Sequence, residues 1–224
     1  MDYKKSSDLA RVSCAGCKGC GDCCRNMGDT IRLDPYDFWQ LERKLERTAL
    51  DMYHDVFNFS EIDGIYLPHL LMKPDQAPVG PVSSGNVEQT KESGSHCIFL
   101  DEEGQCSIHD SRPGLCRLFP LGRNYEPVGF SYFLVPDACD MPGKSKVRIE
   151  DYLGIQDLRK YEAFVSDWHR FLGEMKRKAR GLEEEKRKEL AEFIVQEFFI
   201  GDYYTEEDFY LQYMKRRTGF YRFS

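Results

Sequence analysis

Cys17-Lys18-Gly19-Cys20-Gly21-Asp22-Cys23-Cys24-Arg25 is the stretch of sequence that decides the fold of this chain. Its first three cysteines follow the spacing C-x2-C-x2-C, which can supply three thiolates to an iron–sulfur cluster while a distant cysteine supplies the fourth. Its glycines permit positive φ and a close approach of the backbone to a bound group. The stretch therefore predicts a loop wrapped around a metal centre.

Four more cysteines follow later in the chain, separated by eight, nine and 22 residues. A structural zinc site more often has two C-x2-C pairs, and the later cysteines contain none, so the spacing favours iron–sulfur over zinc. Cys14 is the spare thiol in an odd total of nine. The other eight cysteines are the expected metal ligands, in one centre or two: Cys17, Cys20, Cys23, Cys24, Cys97, Cys106, Cys116 and Cys139.

Two of these ligands, Cys23 and Cys24, are adjacent in the sequence. Neighbouring side chains of an extended backbone point to opposite faces and cannot easily reach the same face of one centre. We therefore expect these two thiols to have different roles.

Composition and charge exclude several classes of partner. The chain has 224 residues and a formal charge of -7, from 31 Lys and Arg against 38 Asp and Glu. This acidic balance is opposite to the basic surface that phosphate neutralisation requires, so nucleic acid is not expected as a partner. The sequence has neither a membrane span nor an apolar signal segment, and we expect a cytoplasmic protein. In that reducing compartment, clustered cysteines favour metal binding over disulfides.

Local patterns divide the chain into a metal-binding domain, residues 1–145, and a helical C-terminal region packed on it, residues 146–224. The first part is expected to contain short elements with a cysteine-rich loop between them. These are a strand at 29–33, one or two helices over 35–57, a strand or buried segment at 65–72, a surface loop at 74–95, a hairpin over 97–108 and a strand at 130–135.

The second part has no cysteine and is predicted to be helical. Apolar residues from Tyr161 to Met175 recur at the i, i+3, i+4, i+7 spacing of an amphipathic helix, and Thr205 begins a capping-box pattern before a last helix. We interpret the aromatic residues as core, with a partner-binding groove as the alternative. The predicted fold is α+β, with an irregular, cysteine-rich, metal-organised core, short antiparallel strands, flanking helices and a helical C-terminal portion.

Three motifs in order resemble a known family. They are Cys17 to Arg25, then Cys97-Ile98-Phe99-Leu100-Asp101 leading to Cys106-Ser107-Ile108, then Arg112-Pro113-Gly114-Leu115-Cys116-Arg117-Leu118-Phe119-Pro120. The chain resembles the cysteine-cluster proteins with a zinc- or iron-chelating domain, a wider group that includes the flagellin lysine N-methylases. The resemblance implies a bound metal, above all iron–sulfur. The family often has tyrosine where His109 stands and proline where Asp140 stands, so either residue could be an unusual ligand.

Three arginines lie beside the predicted ligands: Arg25, Arg112 and Arg117. Guanidinium groups can stabilise the net negative charge of a four-thiolate cluster and shift its potential. The alternative for each is a structural salt bridge or a turn hydrogen bond.

The function that this pattern favours is an iron–sulfur protein with one or two [4Fe-4S] clusters, for electron transfer or a cluster-dependent redox reaction. A protein redox partner or protein substrate would then be expected. One alternative is a zinc-binding structural or interaction module. Another, supported by resemblance alone, is a methyltransferase related to the flagellin lysine N-methylases. Whether the protein is an enzyme, and which oligomer it forms, stay open.

Overall fold

The structure is a computed structural model that describes residues 2–13, 21–75, 94–139 and 143–220. The expected ligands Cys17 and Cys20, the spare Cys14, the candidate Asp140 and most of the expected 74–95 loop lie outside these residues. The strands are β1 (Leu9–Ser13), β2 (Phe57–Ile62), β3 (Ile65–Leu70), β4 (Met72–Pro74), β5 (Ser95–Cys97), β6 (Leu121–Tyr125), β7 (Phe130–Leu134) and β8 (Ser145–Arg148). The helices are α1 (Pro35–Leu45), α2 (Ala49–Met52), α3 (Gly114–Leu118), α4 (Ile149–Leu153), α5 (Leu158–Arg180), α6 (Glu184–Val195) and α7 (Phe209–Phe220).

The strands form four two-stranded antiparallel ribbons, which pair β1 with β8, β2 with β3, β4 with β5, and β6 with β7. An isolated two-stranded ribbon is only marginally stable in water, so each must gain stability by packing against other elements. The mixture of helices with short antiparallel strands confirms the predicted α+β class.

Helix α1 begins where the sequence predicts it. Asp34 is the N-cap, its side chain and that of Asp37 each accept a hydrogen bond from the other residue's backbone N–H, and Pro35 occupies the first turn. The helix ends at Leu45, and its C-cap Glu46 has a left-handed φ of 53°. A second capping box, Thr48 with Asp51, then starts α2. The 35–57 segment is thus two helices, and its last residue already belongs to β2.

The main core is aromatic and draws on both halves of the sequence. Trp168 and Phe171 of α5 pack against Phe198 in the π-helical turn after α6, and Phe38 of α1 packs against Phe57 of β2. The expected amphipathic stripe of α5 is therefore buried, which makes it core and not an open groove. Among the described residues, no helix is both long and apolar enough to cross a membrane. The 145/146 domain boundary stays a prediction.

Two local expectations are wrong. Residues 29–33 do not form a strand, since they make a single bridge between Arg32 and His69 with one backbone hydrogen bond to β3 on either side. The hairpin expected over 97–108 is present in a short form: Leu100 bridges Cys106, and the N–H of Ser107 donates to the carbonyl of Phe99 at 2.9 Å, while β5 itself pairs with β4. The cap of α7 is Asp208 and not Thr205, since its carboxylate accepts from the backbone N–H of Leu211 at 3.1 Å.

Candidate metal centre

Five cysteines line one small cavity of about 70 Å³, which we call the thiol cavity. They come from three separate segments of the chain. Cys23 and Cys24 lie in a 3-10 turn, Cys97 ends β5, Cys106 forms the bridge to Leu100, and Cys116 lies in α3. The structure therefore brings together five of the eight predicted ligands.

The loop between Cys97 and Cys106 is closed by its own turn chemistry. The carboxylate of Asp101 accepts from the backbone N–H of Gln105 at 2.6 Å, and Gly104 has a φ of 76° that favours glycine. The two cysteines are thereby returned to the same side of the turn. Their separation of eight residues is thus spanned by a short hairpin turn.

The first cysteine motif is attached to the second by backbone pairing. Asn26 donates its N–H to the carbonyl of Ser95 at 2.7 Å, and its side-chain oxygen accepts from the N–H of Ser95 at 2.8 Å. Arg25 forms a bridge with His96, one residue before Cys97. These contacts hold the 3-10 turn with its two thiols beside the end of β5.

The third motif is anchored by a buried carboxylate. The Oδ1 atom of Asp37, which is 1% exposed, accepts from the N–H of Gly114 at 2.7 Å. Arg117 fixes the other end of α3, because its guanidinium donates to the carbonyls of Asp110 at 2.6 Å and Leu153 at 3.2 Å. Helix α3 is thus held at both ends with Cys116 between them. The only sequence signal at Asp37 is its place in the helix cap, which does not predict this contact with Gly114.

Four of the thiols form a mutually interacting quartet: Cys23, Cys97, Cys106 and Cys116. Each of the six pairs among them interacts electrostatically. Burial raises the pKa of Cys97 to about 11, and burial also raises the pKa of Cys106 and of Cys116. The pKa of Cys23 is raised first by its sulfur contact with Cys24 and then by burial. Four desolvated thiols that repel each other when ionised would be stabilised as thiolates by a bound cation.

The three arginines have different surroundings. Arg112 lines the thiol cavity and opposes the rise in the pKa of Cys23 and Cys106. Its guanidinium donates to Nε2 of His109, and its Nε is buried with no hydrogen-bond partner among the described residues. Arg25 instead makes an ion pair with Asp75 at 3.8 Å, and Arg117 has the structural role described above. Only Arg112 is placed to act on the thiols.

The adjacent cysteines do not point to opposite faces, so that premise is wrong. The turn at Asp22–Cys24 is helical and not extended, and the two sulfur atoms lie 4.0 Å apart on the same cavity. Cys139 follows β7 in a turn where its carbonyl accepts from Lys144, and it is not among the described residues that line the cavity. Its predicted ligand role, like that of Cys17 and Cys20, stays a prediction.

A larger space adjoins the thiol cavity. It has a volume of about 430 Å³, and we call it the apolar pocket. Cys23, Cys24 and Cys116 line both spaces and so form the wall between them. The apolar pocket also contains Arg123 of β6, a residue that no sequence motif singled out.

The donor set fits a thiophilic metal or cluster. The five cysteine donors at the thiol cavity supply sulfur, the ligand type that selects zinc, cuprous copper or iron–sulfur. His109 also lines the cavity, with its Nε2 hydrogen-bonded to Arg112, and its ligand role stays a prediction. Within the residues that the structure describes, however, no three His, Cys, Asp or Glu side chains already form a metal-binding group. The described thiols therefore surround a space without forming a site for a single metal ion.

The fold and this cavity define an α+β protein with a thiol-lined centre. The family model CxxCxxCC, described as a putative zinc- or iron-chelating domain, matches residues 16–140. This is more than half of the chain, and the chain belongs to that family. No curated protein and no solved structure is significantly similar to it. The relation to the flagellin lysine N-methylases stays a prediction.

Proposed function

We propose that the thiol cavity holds a [4Fe-4S] cluster and that the protein transfers electrons or carries out a redox reaction beside that cluster. The observation that carries this proposal is that cysteines from three chain segments, Cys23, Cys97, Cys106 and Cys116 among them, line one small cavity. Four thiolates are the ligand set of a cubane cluster. Cys17 and Cys20 are further expected ligands from the loop of Cys23, and a second cluster would need them.

The surroundings of the quartet support a cluster. Leu70, Phe99 and Ile108 line the thiol cavity, so apolar side chains flank the sulfurs; Cys97 is buried and the other four cysteines are partly buried. When bound, a cluster supplies one-electron redox chemistry, and its potential depends on burial, net charge and hydrogen bonds to sulfur. The guanidinium of Arg112 is positioned to balance the negative charge of the thiolates.

Zinc is the competing occupant, because the family description includes both metals. A zinc ion would also stabilise the four thiolates, and it would make the site structural. The later cysteines contain no C-x2-C pair of the kind that structural zinc sites usually have, which favours the cluster. The buried aromatic residues of α5 give the interaction-module alternative no exposed groove there. A protein redox partner stays a prediction.

Anaerobic purification tests the proposal. The absorption spectrum is recorded, and iron, zinc and acid-labile sulfide are assayed on the same sample. We expect a brown protein with a broad band near ~400 nm and about four iron and four sulfide for each cluster. A colourless protein with zinc and no sulfide, even after anaerobic reconstitution with iron and sulfide, would contradict the proposal.

A further inference from the structure

The apolar pocket has hydrophobic walls and one permanent charge. Its hydrophobic lining comes from Met27, Ile31, Leu115, Leu118, Phe119, Leu121, Tyr125 and Phe133. Of the described residues that line it, only Arg123 carries a permanent charge. A concave, mainly apolar space with one fixed polar group is the usual form of a small-molecule site.

The wall on the β6–β7 ribbon is shaped by a cross-strand pair. Gly122 lies opposite Phe133, and a Cβ atom built on Gly122 would come within 2.4 Å of the Phe133 ring. The ring therefore lies directly against the backbone of β6. This packing requires glycine at position 122 and leaves the next residue, Arg123, at the pocket lining.

Arg123 is only partly paired within the described residues. Its Nη2 donates to the hydroxyl of Tyr161 at 3.3 Å and its guanidinium also interacts with the hydroxyl of Tyr125, while its Nε is buried without a partner among those residues. Its guanidinium lies 5.3 Å from the ring centroid of Phe130, which offsets part of the cost of burial. In the described part of the chain, no carboxylate lies within 4.0 Å of it.

The carboxylate with which Arg123 interacts electrostatically is Asp34, at a longer distance. Burial raises the pKa of Asp34 to about 6, and Arg123 opposes that rise. Asp34 is also occupied as the cap of α1, where it accepts from the N–H of Asp37 at 3.0 Å. Arg123 is partly buried, and a partly desolvated guanidinium with no close counterion is costly, so an anion that enters the pocket would reduce that cost.

We propose that the apolar pocket binds a small organic carboxylate whose apolar body contacts the hydrophobic walls and whose carboxylate accepts hydrogen bonds from Arg123. This proposal deepens the proposed function. It rests on that function only for the idea that the bound carboxylate is the substrate of the redox reaction. Cys23, Cys24 and Cys116 are the shared wall, so the molecule lies beside the thiol cavity. A nucleotide or sugar phosphate fits poorly, because one guanidinium and apolar walls would leave most of its polar groups unpaired.

Isothermal titration calorimetry of the anaerobically purified protein tests the proposal with naphthoate and decanoate, one rigid and one flexible carboxylate. Naphthamide is the uncharged control ligand. We expect at least about thirtyfold weaker carboxylate binding in Arg123→Met, because an anion bound in the pocket loses its charged partner. Arg148→Met, which removes an exposed arginine at the end of β8, is the matched control and is expected to leave binding unchanged.

A second variant covers the case in which Arg123→Met fails to fold. Leu115 is 42% exposed and lines the pocket, so Leu115→Trp fills the space from outside with little change to the core. We expect this variant to lose carboxylate binding. Failure of the wild type to bind either carboxylate, or equal binding of naphthoate and naphthamide, would overturn the proposal.

Iron and sulfide assays on the calorimetry sample separate this proposal from the proposed function. Arg123 and the pocket walls belong to the protein, so the carboxylate is expected to bind whichever metal is present. Carboxylate binding in a sample without iron and sulfide would support the carboxylate site and contradict the cluster. A sample with a loaded cluster and no carboxylate binding would support the cluster and contradict the carboxylate site. With both present, we expect the carboxylate to change the electron paramagnetic resonance spectrum of the reduced cluster. An unchanged spectrum would overturn the placement of the ligand beside it.

Discussion

Asp37→Ala should destabilise the protein far more than an aspartate substitution in an equivalent helix cap. Asp37 accepts from two backbone amides, Gly114 at 2.7 Å and Asp34 at 2.9 Å. The Gly114 contact is buried and joins residues 77 positions apart in sequence. Removing the carboxylate leaves both donors without this partner and frees one end of α3.

The magnitude follows from the number of donors that lose their acceptor. A buried amide left unsatisfied costs about 1–3 kcal/mol. Burial, followed by the negative charge of Asp34, raises the pKa of Asp37 well above its usual range, so removing this carboxyl recovers part of the loss. We expect a net decrease of about 3 kcal/mol in the free energy of unfolding, which for a chain of this size lowers Tm by about 6–12 °C.

Asp51→Ala is the matched control. Asp51 occupies the same capping-box position in α2 but is exposed, so its amide partner can turn to water. Its loss should cost about 1 kcal/mol. Urea unfolding under anaerobic conditions, with the metal content of each sample measured, compares the two. Equal decreases for the two variants would refute the idea that Asp37 anchors α3 and Cys116.

Three further predictions follow from the site and the core. Cys116→Ser should lower the iron content strongly and Cys139→Ser much less, because only Cys116 lines the thiol cavity; metal analysis showing equal losses would contradict this. Arg112→Met should lower the reduction potential of the cluster by about 40 mV, equivalent to ~1 kcal/mol for one electron, and Arg25→Met should change it less, as redox titration would show. Burial raises the pKa of Glu42 to about 7, so its native state holds the proton more tightly than the unfolded chain and stability falls as pH rises from about 4.5 to about 7. Glu42→Gln should reduce this dependence of stability on pH, measured by urea unfolding at several pH values. An unchanged dependence would contradict the raised pKa of Glu42.

The parts of the fold that sequence could predict are those set by local signals. The Asp34-Pro35 cap places the start of α1 correctly, because capping depends on residues a few positions apart. The apolar period of α5 likewise predicts its buried face, and the ordered cysteine motifs predict the residues that surround the thiol cavity.

The remaining features depend on tertiary contacts. Nothing within the local sequence indicates that Asp37 binds Gly114 or that Arg123 lines an apolar pocket. The opposite-face argument for Cys23 and Cys24 was wrong for a related reason. It assumed an extended backbone, whereas the segment is a 3-10 turn paired to β5 through the following residues.

Anomalous X-ray scattering from crystals grown anaerobically tests the central claim most directly, because it identifies the metal and locates it. We predict a strong peak at the iron absorption edge inside the thiol cavity, bounded by the Sγ atoms of Cys23, Cys97, Cys106 and Cys116. A peak that appears only at the zinc edge, or an iron peak away from these four sulfurs, would contradict the account.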